Sequence, residues 1–150
     1  MAGFKFDQEK CTACGACAVA CMDQNDTDIK AGERPLRTVY KKETPYGTIC
    51  ISESCRHCSD AGCIAACPWK CITRDEETGL VIYDDAACTG CAKCMRACRF
   101  RAISFRKDRD GFPKMQKCDG CIERIRAGLE PACTLNCPTG ALKYTPFILI

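Results

Sequence analysis

Sixteen of the eighteen cysteines in this 150-residue chain fall into four runs, and any fold must accommodate them first. Cys11, Cys14, Cys17 and Cys21 read CxxCxxCxxxC, and Cys88, Cys91, Cys94 and Cys98 repeat that spacing. Cys55, Cys58, Cys63 and Cys67 read CxxCxxxxCxxxCP. Cys118, Cys121, Cys133 and Cys137 hold eleven residues between their second and third members, with Pro138 after the last. All four runs end in CxxxC. Leu, Ile, Val and Phe together supply only 26 of 150 residues, a fraction that in a polar chain without cofactors points to disorder. Something bound to sulfur therefore takes the space that large aliphatic side chains normally fill.

Three chemistries use cysteine at this density: disulfides, zinc and iron-sulfur clusters. The N-terminal Met1 to Lys10 has no apolar core and no cleavage pattern, so a reducing, cytoplasmic setting is expected and disulfides are disfavoured. Export alongside a signal-bearing partner would leave the same sequence. No stretch approaches eighteen apolar residues, and no direct membrane insertion is expected. Zinc takes two CxxC pairs per site and gives no reason for a third cysteine in CxxCxxC or for a CxxxCP ending. A cubane cluster explains both. Three thiolates on a tight loop wrap three corners of one 4Fe-4S cluster, while a fourth beyond a three-residue gap points away and ligates a neighbour, as in the bacterial ferredoxin run. Two runs brace two clusters reciprocally, so four runs supply sixteen ligands for four 4Fe-4S clusters. Each such cluster with its thiolates carries 2−, which turns the formal +3 of the chain into about −5. The basic pI is thus no sign of nucleic acid, and none is expected as a partner.

The segments Cys55-Arg56-His57-Cys58 to Ala66-Cys67-Pro68, Cys88-Thr89-Gly90-Cys91-Ala92-Lys93-Cys94, and Lys117-Cys118-Asp119-Gly120-Cys121 to Asn136-Cys137-Pro138-Thr139-Gly140 resemble the four-cluster iron-sulfur subunits of dimethyl sulfoxide reductase, nitrate reductase and formate dehydrogenase. Small polyferredoxin subunits of tungsten aldehyde oxidoreductases are similar. The likeness runs over residues 4 to 145. It implies that the first run pairs with the fourth and the second with the third. One cluster would then sit on Cys11, Cys14, Cys17 and Cys137, and another on Cys118, Cys121, Cys133 and Cys21. The other two would sit on Cys55, Cys58, Cys63 and Cys98, and on Cys88, Cys91, Cys94 and Cys67. The fold implied is α+β, with two ferredoxin-like units in one chain built from small antiparallel hairpins and short helices around the clusters. Residues 1–49 with 112–150 would form the first unit, and residues 50–111 the inserted second. The chain departs from the family pattern at Arg99, where proline usually follows the last cysteine, and at Cys71, where a small residue is common.

Local signals fill in the rest. Leu80-Val81-Ile82-Tyr83 after Glu77-Thr78-Gly79, and Ala102-Ile103-Ser104-Phe105 before the charged turn Arg106 to Gly111, read as hairpin arms. Ile122 to Leu129, with Gly128 near its end, reads as a short helix. Residues 22 to 49 read as a loop-rich hairpin facing a partner. Cys50 and Cys71 lie outside the runs and are expected to pack as small hydrophobes. His57 is the lone histidine, whereas a Rieske site needs two, so it is expected to hydrogen-bond or pack. Trp69 is expected to shield a cluster from water. Lys93 to Lys117 holds nine Lys and Arg against two Asp, charge that offsets the clusters and leaves a docking face for an acidic partner.

No nucleophile with a base, phosphate loop or carboxylate pair is evident, so the chain is expected to be a non-catalytic electron-transfer subunit. Its implied partner is a large catalytic subunit carrying molybdenum or tungsten with pterin, with a further redox subunit or copies of itself as additional contacts. A free-standing polyferredoxin carrier and a structural zinc-binding interaction module are the alternatives.

Overall fold

The computed structural model describes residues 3–146 and shows why the runs dictate the architecture. The third cysteine of every run is the second residue of a helix. Cys17 opens α1 (Ala16–Gln24), Cys63 opens α2 (Gly62–Ala65), Cys94 opens α3 (Lys93–Ala97) and Cys133 opens α5 (Ala132–Leu135), while α4 (Ile122–Arg126) fills the long gap of the fourth run. The helices are short because the last cysteine must leave them. Cys67, Cys98 and Cys137 fall just past α2, α3 and α5, and the chain then turns through a left-handed residue at Lys70, Arg101 and Gly140. Only Cys21 stays inside its helix.

Among the described residues, eight strands pair into four two-stranded antiparallel hairpins or ribbons. β1 (Gly3–Phe6) pairs with β8 (Leu142–Thr145), opposing Phe6 to Leu142. β2 (Thr38–Thr44) and β3 (Gly47–Glu53) form an external hairpin with Tyr46 wholly exposed at its tip. β4 (Ile72–Arg74) pairs with β5 (Val81–Tyr83), and β6 (Ser104–Lys107) with β7 (Pro113–Gln116). These last two hairpins enclose a small aliphatic core of Ile72, Val81, Ile103 and Met115 with Cys94. The β6–β7 pairing spans position 112, and β3 runs across position 50.

Elsewhere the two ends of the described chain come together in one packed region. α1 packs on α5, and α5 on β8. Its buried residues are mostly small: Cys21, Cys118, Cys121, Cys133, Ala132 and Ala141, with Leu36, Ile122 and Leu142. Leu80, fully buried, lies against Gly120; a Cβ there would come within 2.6 Å of Leu80 Cδ1. Arg126 on α4 also pairs with Asp75 at 2.9 Å.

α4 ends at Arg126, earlier than the sequence suggested, because Gly128 turns left-handed (φ 75°) and lets Leu129 N–H close back on the Arg124 carbonyl at 2.8 Å. β6 begins at Ser104, not Ala102, because Ala102 N–H is directed at Cys98 Sγ. Among the described residues no helix is long and apolar enough to cross a membrane.

Candidate metal centres

The loop between the first two cysteines has one shape in all four runs. The residue before the second cysteine, Ala13, His57, Gly90 or Gly120, has positive φ (55°, 47°, 73° and 82°). For Ala13 and His57 that conformation costs on the order of 1 kcal/mol, and it turns successive backbone N–H groups to one side as an anion-binding nest. Gly90 N–H points at Cys88 Sγ (3.5 Å) and Gly120 N–H at Cys118 Sγ (3.4 Å). The turn after the last cysteine does the same for that sulfur. Ala102 N–H lies 3.4 Å from Cys98 Sγ. Burial raises the Cys137 thiol, but N–H bonds from Leu142, Thr139 and Ala141 with the Thr139 hydroxyl outweigh it and leave the thiol below its usual value. Cys67 is lowered likewise: burial opposes, and the amides of Cys71, Trp69 and Ile72 prevail.

Cysteines distant in sequence converge on common cavities. One, of about 430 Å³, is lined by Cys55, Cys58, Cys63 and Cys98 together with Lys117. A second, of about 320 Å³, is lined by Cys11, Cys14, Cys17 and Cys137. A third, of about 300 Å³, is lined by Cys67, Cys88, Cys91 and Cys94, with Cys71 and Trp69 at its border. Cys21, Cys118, Cys121 and Cys133 form the deepest group, each no more than 9% exposed. Burial pushes the Cys21 thiol up to about 12, with the neighbouring Cys133 thiol adding to it, and drives Cys118 well above its usual value. Among the described residues no group of three His, Cys, Asp or Glu side chains closes on a single-ion position.

Four-thiol sets around cavities, with amides directed at the sulfurs, fit a cuboidal cluster. Residues 46–146 match the family described as 4Fe-4S dicluster domain, and residues 4–21 match a 4Fe-4S binding domain. This chain belongs to the 4Fe-4S dicluster family. The dicluster chain is 32% identical to the B subunit of the anaerobic dimethyl sulfoxide reductase of Haemophilus influenzae, over 96% of its own length and 73% of that protein. It is 30% identical to the nitrate-inducible formate dehydrogenase iron-sulfur subunit of Escherichia coli K12, and 29% to the hydrogenase-2 operon protein HybA of Escherichia coli O157:H7. It spans about half the length of each of these two. Its cofactors are 4Fe-4S clusters.

Other residues of the dicluster chain take defined places. His57 is buried, and its Nδ1 accepts Val81 N–H at 3.0 Å; burial pushes its pKa down to about 3, so the ring is neutral and Nε2 carries the hydrogen. It packs 5.8 Å from the Phe4 ring of β1. Trp69 borders a cavity but remains 57% exposed, so it covers the site from one side only. Cys71 is buried as expected, beside Cys67, whereas Cys50 is half-buried near Cys11. Most of the Lys93 to Lys117 charges reach solvent, with Arg99 paired to Asp60 and Arg106 to Asp85. Lys117 is the exception, at 1% exposure. Arg37, at 3%, donates to the Ser52 and Ser54 hydroxyls at 2.9 and 2.7 Å, and Ser52 in turn contacts Cys17 Sγ at 3.5 Å. Neither buried cation was legible beforehand: Arg37 sits in no motif, and Lys117 ends a basic stretch whose other members are solvated.

Proposed function

We propose that this chain is an electron-relay subunit of a larger oxidoreductase, holding four 4Fe-4S clusters on sixteen thiolates in nested reciprocal pairs. The ligand sets are Cys11, Cys14, Cys17 and Cys137; Cys118, Cys121, Cys133 and Cys21; Cys55, Cys58, Cys63 and Cys98; and Cys88, Cys91, Cys94 and Cys67. The observation that carries the reading is that three cavities each gather three cysteines of one run and the last cysteine of its partner run. Residues 1–49 with 112–150 then form one two-cluster unit and residues 50–111 the other, with the β7 strand packed on the inner unit although it follows position 112.

Each cluster, when bound, accepts and releases one electron. The chain's own groups do the rest. The αL loops and post-cysteine turns direct N–H groups at sulfur and so favour the more negative state. Apolar packing keeps water from the deep set. Cys14 and Cys91 are exposed and belong to the two outermost sets, which makes them the points of entry and exit. The order of transfer is the first-run set, the fourth-run set, the second-run set, then the third-run set. A catalytic subunit carrying molybdenum or tungsten with pterin is the proposed partner, since the relatives include subunits of a dimethyl sulfoxide reductase and of a formate dehydrogenase. A cytoplasmic, reducing setting is proposed with it.

Anaerobic purification of the chain from its native host tests both parts. About sixteen iron and sixteen acid-labile sulfide per chain, with a large pterin-bearing chain in stoichiometric amount, is expected. Full iron with no partner would turn the reading to a diffusible carrier, and zinc in place of iron would end it.

A further inference from the structure

Lys117 follows β7 and is among the largest fully buried side chains of the protein. Its ammonium donates to the carbonyls of Val81 and of Cys118, the latter at 2.8 Å, and lies 5.7 Å from the Tyr83 ring centroid. None of these partners is an anion, and among the described residues no carboxylate pairs with it. A charge buried without a counter-charge is severely penalised. Two candidate counter-charges flank it. The side chain borders the cavity of Cys55, Cys58, Cys63 and Cys98, and its nitrogen holds the backbone of Cys118, the first member of the deep set. Burial raises the thiols of Cys63 and Cys118, and Lys117 opposes the rise at both. Cys118 is also close enough to Cys55 and Cys21 to feel both thiols, so the two sets adjoin at this point. Arg37 lies near Cys21 and Cys133 of the deep set, but its guanidinium donates to the Ser52 and Ser54 hydroxyls, whereas the Lys117 ammonium, among the described residues, has only backbone carbonyls as hydrogen-bond partners.

Resting on the ligand sets proposed above, we propose that Lys117 is one fixed positive charge shared by the two inner clusters, which raises the reduction potential of both and so favours an electron on either side of the step between them. In that step one electron leaves one inner cluster and enters the other; one loses a unit of negative charge, the other gains it, and no bond or proton moves. Because Lys117 faces both sites, it offsets the added charge on either side.

The test is potentiometric titration of the full cluster-loaded chain, followed by electron paramagnetic resonance, with Cys58→Ser and Cys121→Ser used to assign the two signals. Lys117→Gln keeps a donor for the two carbonyls and removes the charge; Lys117→Met removes both. In each, both inner signals shift negative, with at least about a tenfold loss in the reduction equilibrium, which is about 59 mV for one electron. Lys117→Arg leaves them near wild type. Movement of one signal only, or of neither, in a neutral variant with full iron overturns the proposal. If the neutral variants lose iron, loss from both sites that Lys117→Arg restores supports a shared charge, while loss from one site, or loss that Lys117→Arg does not restore, counts against it. A wild-type chain with well under sixteen iron would instead sink the ligand sets themselves.

Discussion

The inner and outer units proposed above carry the same cysteine grammar on different foundations. The inner unit has a conventional core, with Ile72, Val81 and Met115 from three strands and Ile103 just before a fourth, built on two local hairpins. The outer unit buries mainly thiols and alanines, and its ribbon of β1 with β8 joins segments from opposite ends of the chain. Local hairpins with aliphatic contacts retain partial order alone; long-range pairing around sulfur does not, because its closure entropy is offset only once the cofactor is bound. The clusters of the outer unit are therefore its core, whereas those of the inner unit are attached to one.

Removing the clusters should break the two units unequally, and this is the largest effect expected. Structural metal supplies on the order of 10 kcal/mol per site where no preformed site exists. In iron-free protein, amide exchange should show α1, α5 and the β1–β8 ribbon without protection and the whole chain without a cooperative transition. Residual slowing should be confined to β4–β5 and β6–β7. Native-like protection of the outer segments in the apo chain would erase the distinction.

Cys21→Ser should next separate the sets within the outer unit. Cys21 lies in α1 with Cys17, yet it is buried against Cys133 and Cys121, and α1 packs on α5. The variant should alter the spectroscopic signal that Cys121→Ser alters, by a shift or conversion to a 3Fe form, and spare the one that Cys14→Ser alters. Cys137→Ser should do the reverse. If Cys21→Ser and Cys14→Ser changed the same signal, the reciprocal pairing would be wrong, and with it the two-unit division.

A smaller effect probes the seam between the units. Gly120→Ala places a methyl group 2.6 Å from Leu80 Cδ1 at a residue with φ 82°, so overpacking and backbone strain act together. About 1–3 kcal/mol of destabilisation is expected, read as a lower thermal midpoint of the cluster-loaded chain. Ala13→Gly, in the equivalent loop position with φ 55°, relieves strain and should be neutral or stabilising. Equal losses in the two would show that the shared loop geometry does not govern their stability.

These cases also mark how far the sequence could be read. The runs exposed their ligand chemistry, because sulfur spacing follows from the size of a cubane, and the turn at Gly79 announced β4–β5. The left-handed loop residues were not read from the sequence: glycine could mark only two of them, Gly90 and Gly120, and Ala13 and His57 take the same shape because the loop around the sulfurs demands it. The late start of β6 was hidden for a related reason, since the Ala102 amide serves sulfur instead of a strand partner. Lys117 and Arg37 were hidden because a cation compensated by a cofactor looks, in sequence, like any solvated one.

The smallest expected effect concerns the two cysteines outside the runs, and it tests whether proximity to a cluster site makes a ligand. Cys71 borders the cavity of Cys67, Cys88, Cys91 and Cys94, so five thiols face four places. Burial pushes the Cys71 thiol up to about 11, and its hydrogen bond with Cys67 adds to the rise, while Cys67 is held low by backbone N–H groups despite burial. The pair is thus ordered: Cys67 is the better thiolate, and Cys71 S–H is its donor. Cys71→Ala should leave about sixteen iron per chain and cost on the order of 1 kcal/mol in packing. Loss of the S–H donor should also move the signal of that cluster slightly negative, because donors to sulfur favour the reduced state. Cys50→Ala, at a half-buried strand position near Cys11, should cost less still and keep the same iron. Loss of about four iron on changing Cys71, with full iron retained in Cys67→Ala, would show that the fifth thiol is the ligand and that the chain places its donors by position in the cavity and not by the spacing of the run.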